Sequence, residues 1–239
     1  MLSKKLSTIV IPAIALALLT CGMAQANLVT NGGFDFYTGT APKGYFSVVL
    51  PTDWTGYFFD TIDAPGTADD PSSPGLYVYA GFPATSPQGG NFVQADSTPT
   101  LSGPITQTIS GLTVGQSYNL SFYQAAGQEY LATGATTDQW EVTFGSDTQY
   151  STLMTLASAG QYPWNLQTMS FTASSASELL SFIAVGTGGD PPQIFLDGVD
   201  MESSVPEPSA LMLLAGVGAV IGMGRVGRRL RANRAGAAA

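Results

Sequence analysis

The chain has 239 residues, with 17 acidic and eight basic side chains, no histidine and one cysteine. All 17 acids but only one base, Lys43, lie between residues 27 and 209, so this part carries a net charge of about −16. Nucleic acid is therefore excluded as a partner, because phosphate binding requires Lys and Arg. The absence of histidine also excludes His-ligated zinc sites and Ser-His-Asp triads.

Residues 1–26 are typical of a signal peptide. Two lysines precede an apolar run at 9–19, and Ala24-Gln25-Ala26 supplies the small residues that signal peptidase accepts, which places the cut before Asn27. The chain is therefore predicted to be exported. Cys21 offers an alternative, lipidation as in bacterial lipoproteins. Thr20 fits this alternative poorly, because such sites have Gly, Ala or Ser directly before the cysteine. Cleavage before Asn27 leaves no cysteine, which rules out disulfides and a cysteine nucleophile.

Residues 27–203 predict a single all-β domain. Alternation is clearest at 117–124, where Tyr118, Leu120 and Phe122 share one face, and helical periodicity is almost absent. About ten short strands separated by Gly and Pro turns favour an antiparallel β-sandwich with jelly-roll topology. The other predicted strands are 46–50, 75–79, 91–95, 105–109, 140–144, 149–155, 165–172, 179–185 and 193–201.

Residues 204–239 predict a membrane-sorting tail. Val205-Pro206-Glu207-Pro208-Ser209 precedes an apolar segment, and an arginine cluster without acids follows it: Arg225, Arg228, Arg229, Arg231 and Arg234. The apolar block at 210–224 has fifteen residues, which as a helix cover about 22 Å of a hydrocarbon core about 30 Å thick. A transmembrane helix at 210–226 therefore spans the core only if Val226 and the arginine stems extend its apolar length. The arginines act as a cytoplasmic membrane stop, which leaves the β-domain outside. The alternative is a buried core helix with a basic tail.

The order of the Pro-Glu-Pro motif, the apolar span and the arginine cluster resembles the PEP-CTERM sorting signal of Gram-negative bacteria that make extracellular polysaccharide. This resemblance implies a transient inner-membrane anchor with a periplasmic ectodomain. An exosortase then removes the tail and passes the protein to the cell surface or extracellular matrix. Pro206 and Pro208 also hold the backbone extended, which suits entry into a protease cleft, although a stiff linker has the same composition.

Three segments of the domain are similar to galactose-binding-like jelly rolls, such as carbohydrate-binding modules of the family 4/9/22 type and DUF642-like domains. They are 27–35, 105–122 and 194–200. The resemblance implies that the first and last strand regions lie side by side and hold a structural calcium through Asp35 and Asp197. Carboxylates and carbonyls suit this hard cation. The alternative is a turn residue and a solvated edge residue, with Asp200 and Glu202 as further acids nearby.

The aromatic residues suggest where a sugar would bind. Sugars pack on aromatic faces, and Trp54, Tyr57, Tyr77 and Tyr79 lie in a polar, turn-rich segment. They are the predicted sugar platform, although Trp54 fits a packing role as well.

Two functions from different classes remain open. The first is a non-catalytic surface or matrix protein associated with exopolysaccharide and biofilm. The second is a lectin-like module with one defined glycan. A carboxylate-based glycosidase is a weaker third reading, for which Glu129, Asp138 and Glu141 are candidate acids without a motif to single them out. We therefore expect no enzyme activity.

Overall fold

The computed structural model describes residues 26–38, 50–56, 61–72, 76–83, 85–98, 103–188 and 192–204. These residues form strands and turns without any helix, and so they hold no apolar helix of membrane-crossing length. The predicted signal peptide and the predicted transmembrane helix at 210–226 lie outside the described residues. The strands are β1 Tyr37–Thr38, β2 Leu50–Pro51, β3 Thr61–Asp63, β4 Phe92–Asp96, β5 Ile105–Ser110, β6 Ser117–Gln128, β7 Thr136–Phe144, β8 Asp147–Tyr150, β9 Met154–Leu156, β10 Gln161–Thr172, β11 Ser177–Gly188 and β12 Pro192–Ser203.

The strands form two main antiparallel sheets. The front sheet has the order β10-β6-β12-β4-β3, and the back sheet has the order β5-β11-β7-β8, with β9 also paired to β7. From β4 to β7 and again from β10 to β12, each successive strand lies in the opposite sheet. This alternation across two facing sheets is the jelly-roll arrangement. The predicted all-β antiparallel sandwich is therefore confirmed.

The core lies between the two sheets and follows from strict alternation. On β7, burial alternates along the whole strand, so that Trp140, Val142 and Phe144 point inward. Phe122 of the front sheet meets Phe182 of the back sheet edge to face, with ring centroids 5.2 Å apart. Burying such large apolar side chains supplies most of the driving force that holds the sheets together.

The outer face of the front sheet is half covered. Ile194 and Leu196 of β12 belong to the main core, whereas Phe195 between them points the other way and joins a second apolar cluster with Val78 and Phe82. Val78 and Phe82 come from the connection between β3 and β4, which packs over this part of the face. The remainder of the face, towards the start of β6 and the end of β12, is open.

Candidate functional site

An open groove of about 650 Å³ occupies the uncovered part of the front sheet. Two cross-strand rows line it, because Ser121 pairs with Thr168 on one side and Asp200 on the other, and Asn119 pairs likewise with Ser170 and Glu202. Gln149 of the back sheet completes the lining and donates from Nε2 to the Ser170 carbonyl at 2.8 Å. The groove therefore presents hydroxyls, an amide and two carboxylates on three adjacent strands.

A β-bulge aims the two carboxylates into the groove. The register of β12 against β6 shifts between Asp197 and Asp200, and Gly198 within the shift has φ of +60°. Ile194 and Leu196 point into the core before the bulge, and Val199 and Met201 do so after it. Without the extra residue, alternation would turn Asp200 and Glu202 inward.

The groove carries an uncompensated negative charge. Partial burial raises the pKa of Asp200, and the neighbouring charge of Glu202 raises it further. The described residues contain no Lys, Arg or His, so no ion pair neutralises either carboxylate there. Asp200 thus holds its charge less readily than a free aspartate.

The structure places the N-terminal turn that carries Asp35 against β12, which carries Asp197. Asp35 follows a tight turn that packs against β12, where Val199 N–H donates to the Gly32 carbonyl at 2.9 Å. Asp35 Oδ1 accepts the N–H of Asn91 at 2.9 Å, and a Cβ on the adjacent Gly90 would overlap this carboxylate. Three segments therefore lie close to Asp35: the N-terminal turn, the end of the β3–β4 connection and β12.

Burial dominates the electrostatics of Asp197. It raises the pKa of this carboxyl to about 7, whereas the Ser86 hydroxyl and the Gly198 N–H oppose the rise and the Asp35 charge adds to it. The Gly198 N–H donates to Asp197 Oδ1 at 2.7 Å. Asp197 Oδ2 is buried and has no hydrogen bond of normal geometry from any described residue.

The oxygen atoms of Asp35, Asp197 and Ser86 are of the kind that a hard cation binds, but these three side chains supply fewer ligands than such a cation usually takes. Two carboxylates and a hydroxyl are oxygen ligands of the kind that Ca²⁺ takes, and a cation would stabilise two facing negative charges. However, no cluster of three or more His, Cys, Asp or Glu side chains with metal-binding geometry occurs in the part of the chain that the structure describes. Calcium at Asp35 and Asp197 therefore stays a prediction.

The aromatic residues of the predicted sugar platform do not share one surface. Trp54 is 5% exposed and packs in the core against Phe34 and Phe182, with centroid distances of 5.3 and 6.3 Å. Its indole Nε1 donates to the Asn31 carbonyl at 3.1 Å, so both its apolar and its polar parts are used internally. Tyr57 lies outside the described residues.

Tyr77 and Tyr79 do meet at the surface, and a third tyrosine joins them. Tyr130 stacks on Tyr77 with centroids 5.1 Å apart and contacts Tyr79 at 5.4 Å. Tyr130 is 43% exposed, and its neighbour Leu131 is 75% exposed. Sequence alternation did not indicate Tyr130, because this residue follows the end of β6. The bridge between Val78 and Glu129 places it beside the other two tyrosines.

The three acids proposed for glycosidase chemistry do not form a pair across a cleft. Asp138 points into the interior of the sandwich, where the Ser97 hydroxyl contacts it. Glu141 lies on the opposite face of the same strand and accepts a hydrogen bond from the Tyr150 hydroxyl at 2.8 Å. Glu129 follows β6 of the other sheet.

The sequence analysis missed the groove itself. Asn119, Ser121, Thr168 and Ser170 are ordinary polar residues of alternating strands, and no local motif distinguishes them. The available signal was their position on the polar face of two adjacent predicted strands at 117–124 and 165–172. Pairing these strands was needed to place them side by side.

Comparison with solved structures finds domains of related shape. A CBM61 module solved with β-1,4-galactotriose is 15% identical, with 75% of this chain and 99% of that chain covered and a TM-score of 0.41. A xylan-binding CBM22 domain from Paenibacillus barcinonensis is 14% identical, with 75% and 96% covered and a TM-score of 0.39. A cyclase from Fischerella sp. TAU is 13% identical, with 75% and 97% covered and a TM-score of 0.47. No curated protein matches the chain.

The C-terminal segment matches a known sorting signal. Residues 204–231 match the PEP-CTERM protein-sorting motif, which covers Val205 to Ser209 and the arginines at 225, 228, 229 and 231. Arg234 lies beyond the match. The motif implies processing by an exosortase, and thus an exported, membrane-anchored protein of the cell surface.

Proposed function

We propose that the chain is a non-catalytic surface or matrix protein whose front-sheet groove associates with extracellular polysaccharide. The groove is the observation that carries this proposal. It is open, about 650 Å³ in volume and lined by hydroxyl, amide and carboxylate groups. Such groups exchange hydrogen bonds with sugar hydroxyls, and the sorting motif implies a protein of the cell surface, where it could meet extracellular polysaccharide.

The spacing of the groove residues supports binding of a repeating chain. Adjacent strands lie about 4.8 Å apart, and residues on one face of a strand recur about every 6.8 Å. The two rows that contain Ser121 and Asn119 therefore present polar groups on a regular lattice across β10, β6 and β12. A polysaccharide offers hydroxyls at comparably regular intervals.

A second candidate function is a lectin-like module with one defined glycan. The rigid position of the groove residues within paired strands favours it, because preorganised polar groups discriminate between sugars. The surface tyrosines Tyr77, Tyr79 and Tyr130 offer this reading an additional apolar contact away from the groove.

Calcium and the absence of catalysis belong to the same proposal. Asp35, Asp197 and Ser86 would hold a structural calcium that fixes the N-terminal turn against β12. Asp138 and Glu141, which a glycosidase would need on one side of a substrate, face opposite sides of the back sheet. Exopolysaccharide and the biofilm matrix are the partners that this proposal names beyond exosortase and signal peptidase.

Polysaccharide binding by the full chain in detergent, measured by retardation in native gels and on a glycan array, tests the proposal. Asn119→Ala should weaken retention, whereas Thr108→Ala, on the exposed face of the back sheet, should not. Saturable binding of one glycan favours the lectin. Broad binding to polysaccharide favours the matrix role. Retention that Asn119→Ala leaves unchanged would exclude the groove from both.

Mass spectrometry of the mature protein from its own cell tests the delivery route. We expect a product that lacks residues 1–26 and the arginine-rich tail. An intact tail would contradict exosortase processing.

A further inference from the structure

Within the part of the chain that the structure describes, the acid pair in the groove has no cationic neighbour. Asp200 and Glu202 lie two residues apart on the outer face of β12, and both line the groove. No side chain of the described residues is a base, and Lys43 is the only base between residues 27 and 204. The other polar groove side chains of the front sheet, Asn119, Ser121, Thr168 and Ser170, are neutral, and Gln149 of the back sheet donates to the Ser170 carbonyl.

The fold places this pair in the groove at a cost. The Gly198 bulge reverses the alternation of β12 so that both acids face outward on the same side. Like charges this close repel each other, and partial burial weakens their solvation. The pKa of Asp200 is raised by the same two effects, first by burial and then by the charge of Glu202.

A ligand with positive charge relieves both effects at once. An ammonium group donates three hydrogen bonds and also neutralises the local potential, whereas the hydroxyls of a neutral sugar donate hydrogen bonds to the carboxylates but leave their charge in place. A uronic acid would add a third negative charge and be repelled. The four neutral side chains of the groove remain for sugar hydroxyls.

We infer that the groove selects polysaccharide of amino sugars with free ammonium groups, with Asp200 and Glu202 as the groups that recognise the charge. This inference rests on the proposed polysaccharide binding of the same groove. The ligand class is thus a hexosamine polymer that is at least partly unacetylated.

Calorimetric titration of the full chain in detergent at about 0.15 M salt tests the inference. The probes are glucosamine hexamer, its N-acetylated counterpart and a hexuronate oligomer. We expect the glucosamine hexamer to bind most tightly, and Asp200→Asn and Glu202→Gln each to weaken it by roughly tenfold, as expected for a hydrogen bond to a charged group. The melting temperatures of both variants should not fall, since each removes repulsion.

Glu141→Gln is the matched control, because the whole domain is acidic and attracts any polycation. It removes one negative charge from the outer face of the back sheet, away from the groove, and should change the affinity less than twofold. An equal loss in this variant, or calcium-dependent binding of the hexuronate, overturns the inference. If the N-acetylated hexamer binds tightly and Asn119→Ala abolishes that binding, the inference of charge recognition is overturned but the proposed polysaccharide binding still holds. Binding that none of the groove variants affects would overturn both.

Discussion

Replacement of Asp138 by Asn tests how a domain whose described residues include no base tolerates a buried acid. Asp138 is 0% exposed, and Ser97 is the side chain that contacts it. The Ser97 hydroxyl has one proton but two acceptors, Asp138 Oδ1 and the Pro192 carbonyl at 3.0 Å. A protonated Asp138 resolves this conflict, because it donates to Ser97 and leaves the serine proton for Pro192.

The pKa gives the size and sign of the effect. Burial raises the pKa of Asp138 to about 7 against its ordinary 3.8, with Ser97 opposing the rise and the Asp96 charge adding to it. The folded state therefore retains a proton that the unfolded state releases above pH 4. Stability from this group is full below about pH 4, falls as the pH rises to about 7 and stays low above it. The rise in this pKa from 3.8 to about 7 corresponds to roughly 4 kcal/mol.

Asn is neutral at every pH and can donate to Ser97 as the protonated acid does. Asp138→Asn should therefore raise the free energy of unfolding at pH 8 by up to about 4 kcal/mol and leave it within about 1 kcal/mol of wild type at pH 4. Urea unfolding followed by the fluorescence of the buried Trp54 and Trp140 measures this difference across the pH range. A variant that parallels the wild type at all pH values would refute a protonated Asp138 in the folded state.

Three further substitutions test the bulge and the aromatic assignments. Gly198→Ala should cost about 1–2 kcal/mol, because φ is +60° and the new Cβ would lie 3.2 Å from Tyr123 Cδ2, and it should also weaken glycan binding by moving the acid pair. Normal stability and binding would mean that the bulge does not depend on glycine. Trp54→Ala should cost about 3–5 kcal/mol as a core truncation, whereas Tyr130→Ala, at a residue 43% exposed, should cost less than about 1 kcal/mol. Urea midpoints measure all three, and a small loss at Trp54 would argue against its core role.

Sequence alternation predicted the long strands because their pattern is local. The runs at 105–109, 117–124 and 165–172 reappear within β5, β6 and β10. The run at 149–155 was wrong as one strand, since it divides into β8 and β9 around Thr152 and Leu153. The run at 75–79 was also wrong, because the described residues 76–79 form only an isolated bridge at Val78. Both errors come from short apolar runs whose pairing partners, not their own sequence, decide the outcome.

The site was less predictable than the fold because it depends on which face of a strand each side chain occupies and on which strands pair. Counting alternation from Ile194 places Asp200 and Glu202 in the core, and the Gly198 bulge is the feature that reverses this assignment. Trp54 was offered both as part of a sugar platform and as a packing residue, because its polar neighbours do not distinguish the two, and it fills the core beside Phe34. The N-terminal turn packs against β12 through the hydrogen bond from Val199 to Gly32, a long-range contact that local alternation does not encode, whereas a cation at Asp35 and Asp197 stays a prediction.

Asp138 and Asp197, both 0% exposed, show two ways to stabilise a buried acid when none of the described residues is a base. Asp138 lies beside a hydroxyl and a carbonyl, which suit a proton. Asp197 lies beside the Asp35 carboxylate, which suits a cation. Both have a pKa raised to about 7, so both should ionise near neutral pH, but only Asp197 should then respond to calcium.

This difference leads to a testable separation of the two sites. At pH 8, millimolar calcium in place of EDTA should raise the melting temperature of the wild type and of Asp138→Asn by the same amount, because the two stabilising effects act at different sites. Asp35→Asn should abolish the calcium effect and leave the effect of Asp138→Asn intact. An unchanged melting temperature in calcium would exclude the Asp35–Asp197 site. A calcium effect lost in Asp138→Asn would place the cation at the Asp138 cluster instead, and the acid there would then be balanced by a metal and not by a proton.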